Sequence, residues 1–333
     1  MISKIRTIVT ENTVPYENLA LEELLLHTVE PDECILYLWQ NRHTVVIGRN
    51  QNCRSECKVN ELEKDGGYLA RRLSGGGAVF HDLGNLNFTF LVQSENYDLN
   101  RQLEVILQAV RAMGIEAEKS GRNDITAEGR KFSGNAFYQS GNRKYHHGTV
   151  MINADLTNLS HYLTVAPDKL AAKGVKSVRS RVVNLSELNP AVTVERTKEA
   201  LITAFGQVYG LTPLPMEQER LDSAKLRERA EYFASYRWRI GNEPSFTTAV
   251  SHRFGWGGVE LRLLVSGGMI QTATVYTDAM DAELAPLLSQ RLTGAELSPS
   301  GIAKALSPVR GQSDELTAIM GDIARVMEEW QNG

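Results

Sequence analysis

Three consecutive glycines, Gly75-Gly76-Gly77, interrupt the chain between Arg71-Arg72-Leu73-Ser74 and Ala78-Val79-Phe80-His81. A helix or an unbroken strand cannot run through such a stretch, because glycine loses the most backbone entropy on ordering and offers no side chain to pack. A loop is therefore imposed here. Its bare amide N–H groups can approach an anion, and the flanking arginines supply fork-shaped donors for phosphate or carboxylate oxygens. A hairpin turn with two solvated arginines is the plainer alternative. The spacing matches neither the P-loop pattern nor the G-x-G-x-x-G fingerprint, so neither of those nucleotide folds is indicated.

The chain of 333 residues is large for one core, and two domains are expected. A net charge of −4 argues against a general nucleic-acid binder, which would carry a basic surplus. No apolar run reaches the roughly 18 residues of a membrane span, and the first residues lack an apolar signal core, so a soluble cytoplasmic protein is expected. Three cysteines, Cys34, Cys53 and Cys57, make no disulfide framework and no zinc site, and are read as free thiols.

Taken in order, Ile2–Val9, Cys34–Gln40, Thr44–Gly48, Leu69–Arg72, Ala78–His81 and Asn87–Val92 read as strands. Pro15 opens a helical stretch, and Lys58–Asp65 is a short helix. The clearest helix is Leu99–Met113, whose Leu99, Leu103, Ile106, Leu107, Val110 and Met113 form one stripe. Arg130–Tyr138 reads as a strand with Lys131, Ser133, Asn135 and Phe137 on one face, and Gly134 and Ala136 on the other. Ser140-Gly141-Asn142 turns it into Lys144–Ile152, where His146 and His147 point to opposite faces and are not joint metal ligands. Lys169–Arg181 holds five cations and no acid, which suits a solvated loop or one that faces phosphates or an acidic partner. Helices are expected over Val194–Tyr209 and Glu219–Ala234. After a boundary at Gly241–Ser245 comes a three-strand meander over Phe246–Arg253, Val259–Val265 and Met269–Tyr276. Helices near Asp281–Leu292, Ser298–Leu306 and Asp314–Gln331 close the chain.

The run from Arg71 to Asn85, together with Gly121-Arg122-Asn123-Asp124, Arg130-Lys131-x-Ser133-Gly134 and His146-His147-Gly148-Thr149, resembles the lipoate–protein ligases of the biotin/lipoate A/B ligase family. The resemblance continues through Asn153-Ala154-Asp155-Leu156, Lys169–Arg181 and Arg253–Leu261, so it covers nearly the whole chain, including the C-terminal domain of the bacterial two-domain form. It implies an α+β fold with mixed and antiparallel sheets flanked by helices, with a catalytic domain over residues 1–243 and a small α/β accessory domain over 244–333. The implied activity is ATP-dependent conversion of lipoate or octanoate to an acyl-adenylate, then transfer to a lysine of lipoyl domains of 2-oxoacid dehydrogenases or of the glycine-cleavage H protein.

Such chemistry builds negative charge on phosphate and carbonyl oxygens, so the site needs fixed positive donors rather than a nucleophile. Lys131 is the candidate for that donor; a solvated surface lysine is the plainer reading of the residue type. By resemblance, Arg72 and Ser74 meet the acyl-phosphate end. Gly77, Ala78, Val79 and Phe80 present backbone amides and one wall to ATP, and Asn123 and Asp124 contact the nucleotide, with Mg²⁺ expected. Trp39, His81, Gly134, Ala136 and His147 line a slot for the lipoyl chain. Rival readings are an acyltransferase of the same fold working through a cysteine thioester, a biotin–protein ligase, and a lipoate-binding module without turnover.

Overall fold

The computed structural model describes residues 1–121, 123–164, 181–216, 221–241, 245–309 and 311–332. The expected boundary at residues 243/244, the start of the helix expected at Glu219 and nearly all of the basic run at 169–181 lie outside the described residues. The chain divides into two compact units. The first comprises Met1–Ile47, Cys53–Ser74 and Ala78–Ile240; the second comprises Gly241–Gly333 with two short segments, Gly48–Asn52 and Gly75–Gly77.

The strands of the first unit are β1 (Lys4–Val9), β2 (Glu33–Trp39), β3 (Thr44–Ile47), β4 (Tyr68–Arg71), β5 (Val79–His81), β6 (Asn85–Gln93), β7 (Glu118–Ser120), β8 (Asp124–Ala127), β9 (Arg130–Ser140), β10 (Arg143–Met151) and β11 (Leu214–Pro215). Eight of them form one mixed sheet in the order β11-β1-β2-β6-β10-β9-β8-β7. β1 runs parallel to both β2 and β11, and the remaining pairings are antiparallel. The sheet is covered on both faces, which is why β2 is buried along its whole length. Cys34, Leu36 and Leu38 of β2, with Leu86, Phe88, Phe90 and Val92 of β6, face the helices Leu99–Ala112 and Val194–Tyr209. Ile35, Tyr37 and Trp39 share the opposite core with Leu19, Leu25 and Leu26 of the helix Pro15–Thr28 and Phe233 of the helix Ser223–Ala234. Burying each such Leu, Ile or Phe contributes about 1.5–3 kcal/mol, so these two layers fix the sheet. Asp98 caps the Leu99–Ala112 helix by accepting the Arg101 backbone N–H at 3.0 Å.

The plainer alternative at the glycine run, a hairpin turn, is not what forms. β4 and β5 do not pair with each other; both flank β3, the first parallel and the second antiparallel, in the order β4-β3-β5. The connection between them carries Gly76 at φ +87°, a left-handed conformation that side chains resist.

Motif residues after β5 join two loops. Gly84 O accepts the backbone N–H groups of Ile152 and Asn153 at 3.0 and 2.9 Å, and Asp82 accepts those of Gly84 and Asp155 at 2.8 and 2.7 Å. A Cβ on Gly84 would collide with the Asn153 carbonyl, so only glycine permits this approach.

The second unit carries an antiparallel meander, β12 (Thr248–Phe254), β13 (Gly257–Ser266) and β14 (Met269–Thr277). It packs on helices Leu284–Leu292, Pro299–Ala305 and Asp314–Asn332 around Leu261, Leu263, Ile270, Leu288, Ile323 and Met327. Asp278 accepts the Gly258 N–H at 2.7 Å and pairs with Arg253, while Trp256 Nε1 donates to Asp322 at 3.0 Å. The Arg253–Leu261 motif thus builds this unit's own fold. Among the described residues, no helix is long and apolar enough to cross a membrane.

Candidate active site

The site lies in the first unit, on the sheet face that carries Tyr37 and Trp39. Strand register brings its residues together. His147 of β10 stands between Thr89 of β6 and Ala136 of β9. Thr149, two residues along and therefore about 7 Å further on the same face, accepts the Gly134 N–H at 3.2 Å.

A continuous buried hydrogen-bond track crosses this face. Trp39 Nε1 donates to Thr89 Oγ1 at 3.1 Å, and Thr89 Oγ1 donates to Glu22 Oε1 at 2.7 Å. His147 Nδ1 lies 2.8 Å from the same carboxylate oxygen, and His147 Nε2 lies 2.8 Å from Ser74 Oγ. Arg72 Nε donates to Ser74 Oγ at 3.0 Å. A carboxylate only accepts, so Nδ1 carries the proton facing Glu22 and Nε2 takes the Ser74 hydroxyl proton. Every donor then has an acceptor. Burial lowers the Arg72 guanidinium to about 10, and Glu22 is one of the groups opposing that shift.

Ser74, His147 and Glu22 have the spacing of a nucleophilic triad, but Ser74 is fully buried and its oxygen receives a proton from Arg72. That bond withdraws electron density from the hydroxyl and leaves it a poor nucleophile. The arrangement fits a fixed polar wall. The three cysteines are also buried, and burial pushes the Cys34 and Cys57 thiols up to about 12, far from thiolate reactivity.

His81 sits edge-on to Trp39, with ring centroids 6.4 Å apart. Asn18 Nδ2 donates to Asn41 Oδ1 at 3.0 Å, which turns Asn41 Nδ2 toward His81 Nδ1 at 3.2 Å. His81 Nε2 therefore carries the proton, is buried, and has no partner among the described residues. A buried N–H left unmatched costs about 1–3 kcal/mol, which a ligand oxygen placed there would recover. Burial, Arg72 and His147 push the imidazole down to about 3, so it stays neutral.

Lys131 lies on the same face next to Thr149, with Nζ 2.7 Å from Asp124 Oδ1 and 29% of its side chain exposed. It does not share a face with Ser133 and Asn135, as strict alternation along β9 predicts. The β8–β9 register shifts between Ile125 and Thr126, so Thr126 pairs with Lys131. A bulge of this kind turns the side chain to the other side of the sheet. Lys131 now lies across Gly134, whose missing Cβ would stand 2.7 Å from Nζ. Asn123 precedes Asp124, and its carbonyl accepts the Asn135 backbone N–H at 2.8 Å.

The structure therefore joins Trp39, Ser74, Arg72 and His147 in one track, sets His81 beside it, and gathers Lys131, Asp124, Asn123 and Gly134 around Thr149, two residues along β10 from His147. Ala136 is buried beside His147. Arg71 departs from the expected anion cradle: its Nε and Nη2 donate to the carbonyls of Trp238 and Arg239 at 2.8 and 2.9 Å. The Phe80 ring packs against His43 and Tyr162, so β5 has only backbone to offer at that position. Ala78 and Val79 lie in the first unit and Gly77 is grouped with the second.

Sequence reasoning missed Glu22 and Thr89. Glu22 carried a usable signal, since a carboxylate inside the apolar stretch from Leu19 to Leu26 must be paired if the helix is buried.

The chain matches the family described as the lipoyl protein ligase A/B catalytic domain over residues 14–206, and the bacterial lipoate protein ligase C-terminus over residues 243–324. It is 40% identical to the lipoate-protein ligase A of Psychrobacter cryohalolentis, over 99% of this chain and 98% of that protein. Among solved structures it resembles P. falciparum LipL1 in complex with lipoate, with a TM-score of 0.83, 31% identity and coverage of 96% and 99% of the two chains. It also resembles a lipoate-protein ligase A bound with ATP, with a TM-score of 0.62, 25% identity and coverage of 72% and 99%. The chain belongs to the lipoate–protein ligase family of enzymes.

Proposed function

We propose that this enzyme joins lipoate to ATP as lipoyl-AMP and then passes the lipoyl group to a lysine of an acceptor protein. In the first step a lipoate carboxylate oxygen attacks the α-phosphorus, the bond to the bridging oxygen breaks, and pyrophosphate leaves. In the second step the acceptor amine attacks the carbonyl, an amide forms, AMP departs with the former carboxylate oxygen, and the amine loses its proton to solvent. Neither step needs a protein nucleophile, in keeping with a buried Ser74 and unreactive thiols.

The observation that carries this reading is Lys131, a partly exposed cation stretched over the bare backbone of Gly134 beside Asn123 and Asp124. From there an ammonium group reaches both the lipoyl carbonyl and the α-phosphate, the two places where charge grows. Trp39, His81, Gly134, Ala136 and His147 would run along the acyl chain, each methylene of which contributes about 0.8 kcal/mol on burial. Arg72 and Ser74 would end the slot at the acyl-phosphate, and the amides of Gly77, Ala78, Val79 and Phe80, with Asn123, would hold the nucleotide. No group of three or more His, Cys, Asp or Glu suited to a metal occurs among the described residues. Mg²⁺ would thus enter bound mainly to the triphosphate, with Asp124 as its protein carboxylate, and would neutralise phosphate charge. Acceptors would be lipoyl domains of 2-oxoacid dehydrogenases and the glycine-cleavage H protein.

Pyrophosphate exchange into ATP, run with lipoate, octanoate or biotin, tests the reading. Exchange is expected with the first two acids, because a slot loses only about 1–3 kcal/mol for a missing apolar group. Exchange driven by biotin alone would overturn it.

A further inference from the structure

On the opposite face of the same strands a second polar track runs from a helix to the nucleotide end of the site. Gln102, fully buried in the Leu99–Ala112 helix, reaches His146 Nδ1 at 3.2 Å. His146 Nε2 lies 2.8 Å from Asn135 Oδ1, and Asn135 Nδ2 donates to the Asn123 carbonyl at 3.0 Å. That carbonyl also takes the Asn135 backbone N–H, while Asn123 Nδ2 donates back to Asn135 O at 3.2 Å. Asn123 is thus tied to β9 by three hydrogen bonds, and the residue after it is Asp124, the partner of Lys131.

The proton positions follow from the chemistry. Asn135 spends its amide hydrogens on Asn123, so its Oδ1 faces His146 as an acceptor and Nε2 carries the imidazole proton. Nδ1 is left to accept. The buried Gln102 Nε2 otherwise has no partner among the described residues, and turning that amide over supplies Nδ1 with the donor it needs. His146 is enclosed by the rings of Phe88, Phe90 and Phe137, with centroids at 5.3, 5.9 and 5.3 Å. Burial above all pushes it down to about 3, so both bonds are those of a neutral ring. A phenylalanine would fill this space without the cost of desolvating polar groups. The polar chain therefore has to be accounted for by where it leads.

We infer that His146 is a positioning residue for the nucleotide, holding Asn123 and the turn that leads into Asp124 of β8 in place through Asn135. It touches neither substrate. It sets how well the turn is formed before ATP arrives, and so acts on nucleotide affinity and not on lipoate. The inference rests on the reading of Asn123 and Asp124 as the nucleotide end.

The test uses the full chain in lipoate-dependent pyrophosphate exchange. His146→Phe keeps the ring packing and removes both hydrogen bonds; the KM for ATP should rise about tenfold, the effect of one buried hydrogen bond, with the KM for lipoate changed less than about twofold. His146→Gln, whose amide can still donate to Asn135, should recover most of the loss. A KM for ATP that stays put, or two KM values that rise together, overturns the inference. Should His146→Phe not fold, Gln102→Leu removes only the Nδ1 partner and should shift the KM for ATP the same way by about threefold, the effect of a weaker hydrogen bond; no shift counts against the relay. Hydrogen exchange of the Asn135 amide in the substrate-free protein separates the two levels. His146→Phe should speed it about tenfold, and unchanged exchange refutes the relay whatever the activity. A wild-type chain without lipoate-dependent exchange sinks the ligase reading itself.

Discussion

Gly134→Ala puts one methyl group under the lysine proposed to do the chemistry. An ideal Cβ at this position stands 2.7 Å from Lys131 Nζ and 2.9 Å from Cε, whereas Thr149 Oγ1, the next neighbour, is 4.0 Å away. Ordinary contact between such atoms is about 3.5–4.0 Å, so the end of Lys131 must move by roughly 1 Å. The obstacle is the tip of a flexible side chain, and the shift costs little beyond the 2.7 Å pairing with Asp124. That pair is partly exposed and screened, worth about 0–1 kcal/mol. The added methyl restricts the unfolded chain and returns about 0.4–1 kcal/mol. Stability should therefore change by less than about 1 kcal/mol, a Tm shift within about 4 °C for a unit of this size. Chemistry should suffer far more, because a misplacement of about 1 Å at a reacting centre can cost about 10²-fold. Single-turnover formation of lipoyl-AMP at saturating ATP and lipoate reads the rate, and scanning calorimetry reads Tm. A rate within about threefold of the parent at unchanged Tm would refute the placement of Lys131 over Gly134, on which its proposed role depends.

Lys131→Met should leave lipoate binding by calorimetry intact and reduce adenylate formation about 10²–10³-fold, as removal of a charge-stabilising donor does; full activity would remove Lys131 from the mechanism. Acid stability offers a separate check through His81 and His146, both pushed down to about 3 by burial. Between pH 6.5 and 3 the unfolded chain binds protons there that the folded chain refuses, so each ring costs about 1.4 kcal/mol of stability per pH unit as pH falls. His146→Gln should flatten the decline of Tm below pH 6.5; an unaltered slope would show that His146 is not buried neutral. The cation-rich run at residues 169–181 predicts that the KM for an acidic acceptor domain rises with ionic strength, and a KM that does not respond to salt would count against a role in docking.

How much could be seen in the sequence varied with how each element is buried. The Leu99–Ala112 helix was legible because one face alone is apolar, leaving a 3.6-residue signature that only Gln102 interrupts. β2 and β6 were legible as strands but not as to facing, because both faces are covered and the period of two disappears from the sequence. β7 and β8 escaped notice: three or four residues with polar members carry too little pattern. Lys131 was found by resemblance and its strand by pattern, yet its face was misread, because one register shift against β8 inverts everything that alternation predicts. Arg71 and Arg72 look equivalent in sequence. Only the short helix Tyr236–Arg239, more than 160 residues away, shows that the first is spent on carbonyls.

The two tracks and the lysine divide the work by rigidity. From Trp39 to Arg72 each donor has an acceptor, and the buried charges of Arg72 and Glu22 are held in one hydrogen-bonded system. Rearranging it would strand a buried donor at a cost of about 1–3 kcal/mol for each bond lost, so this track resists rearrangement. In the proposed reaction that stiffness would suit a wall that holds the lipoate carboxylate in line with the α-phosphorus. Lys131 is built the opposite way: partly exposed, parked on an aspartate and free of a Cβ beneath it. In the proposed reaction an incoming triphosphate would take its place beside the ammonium group without breaking anything buried, and the same group would follow the negative charge from phosphate to carbonyl between the two steps. Under the proposed mechanism Gly134 would be as much a part of the chemistry as the cation above it.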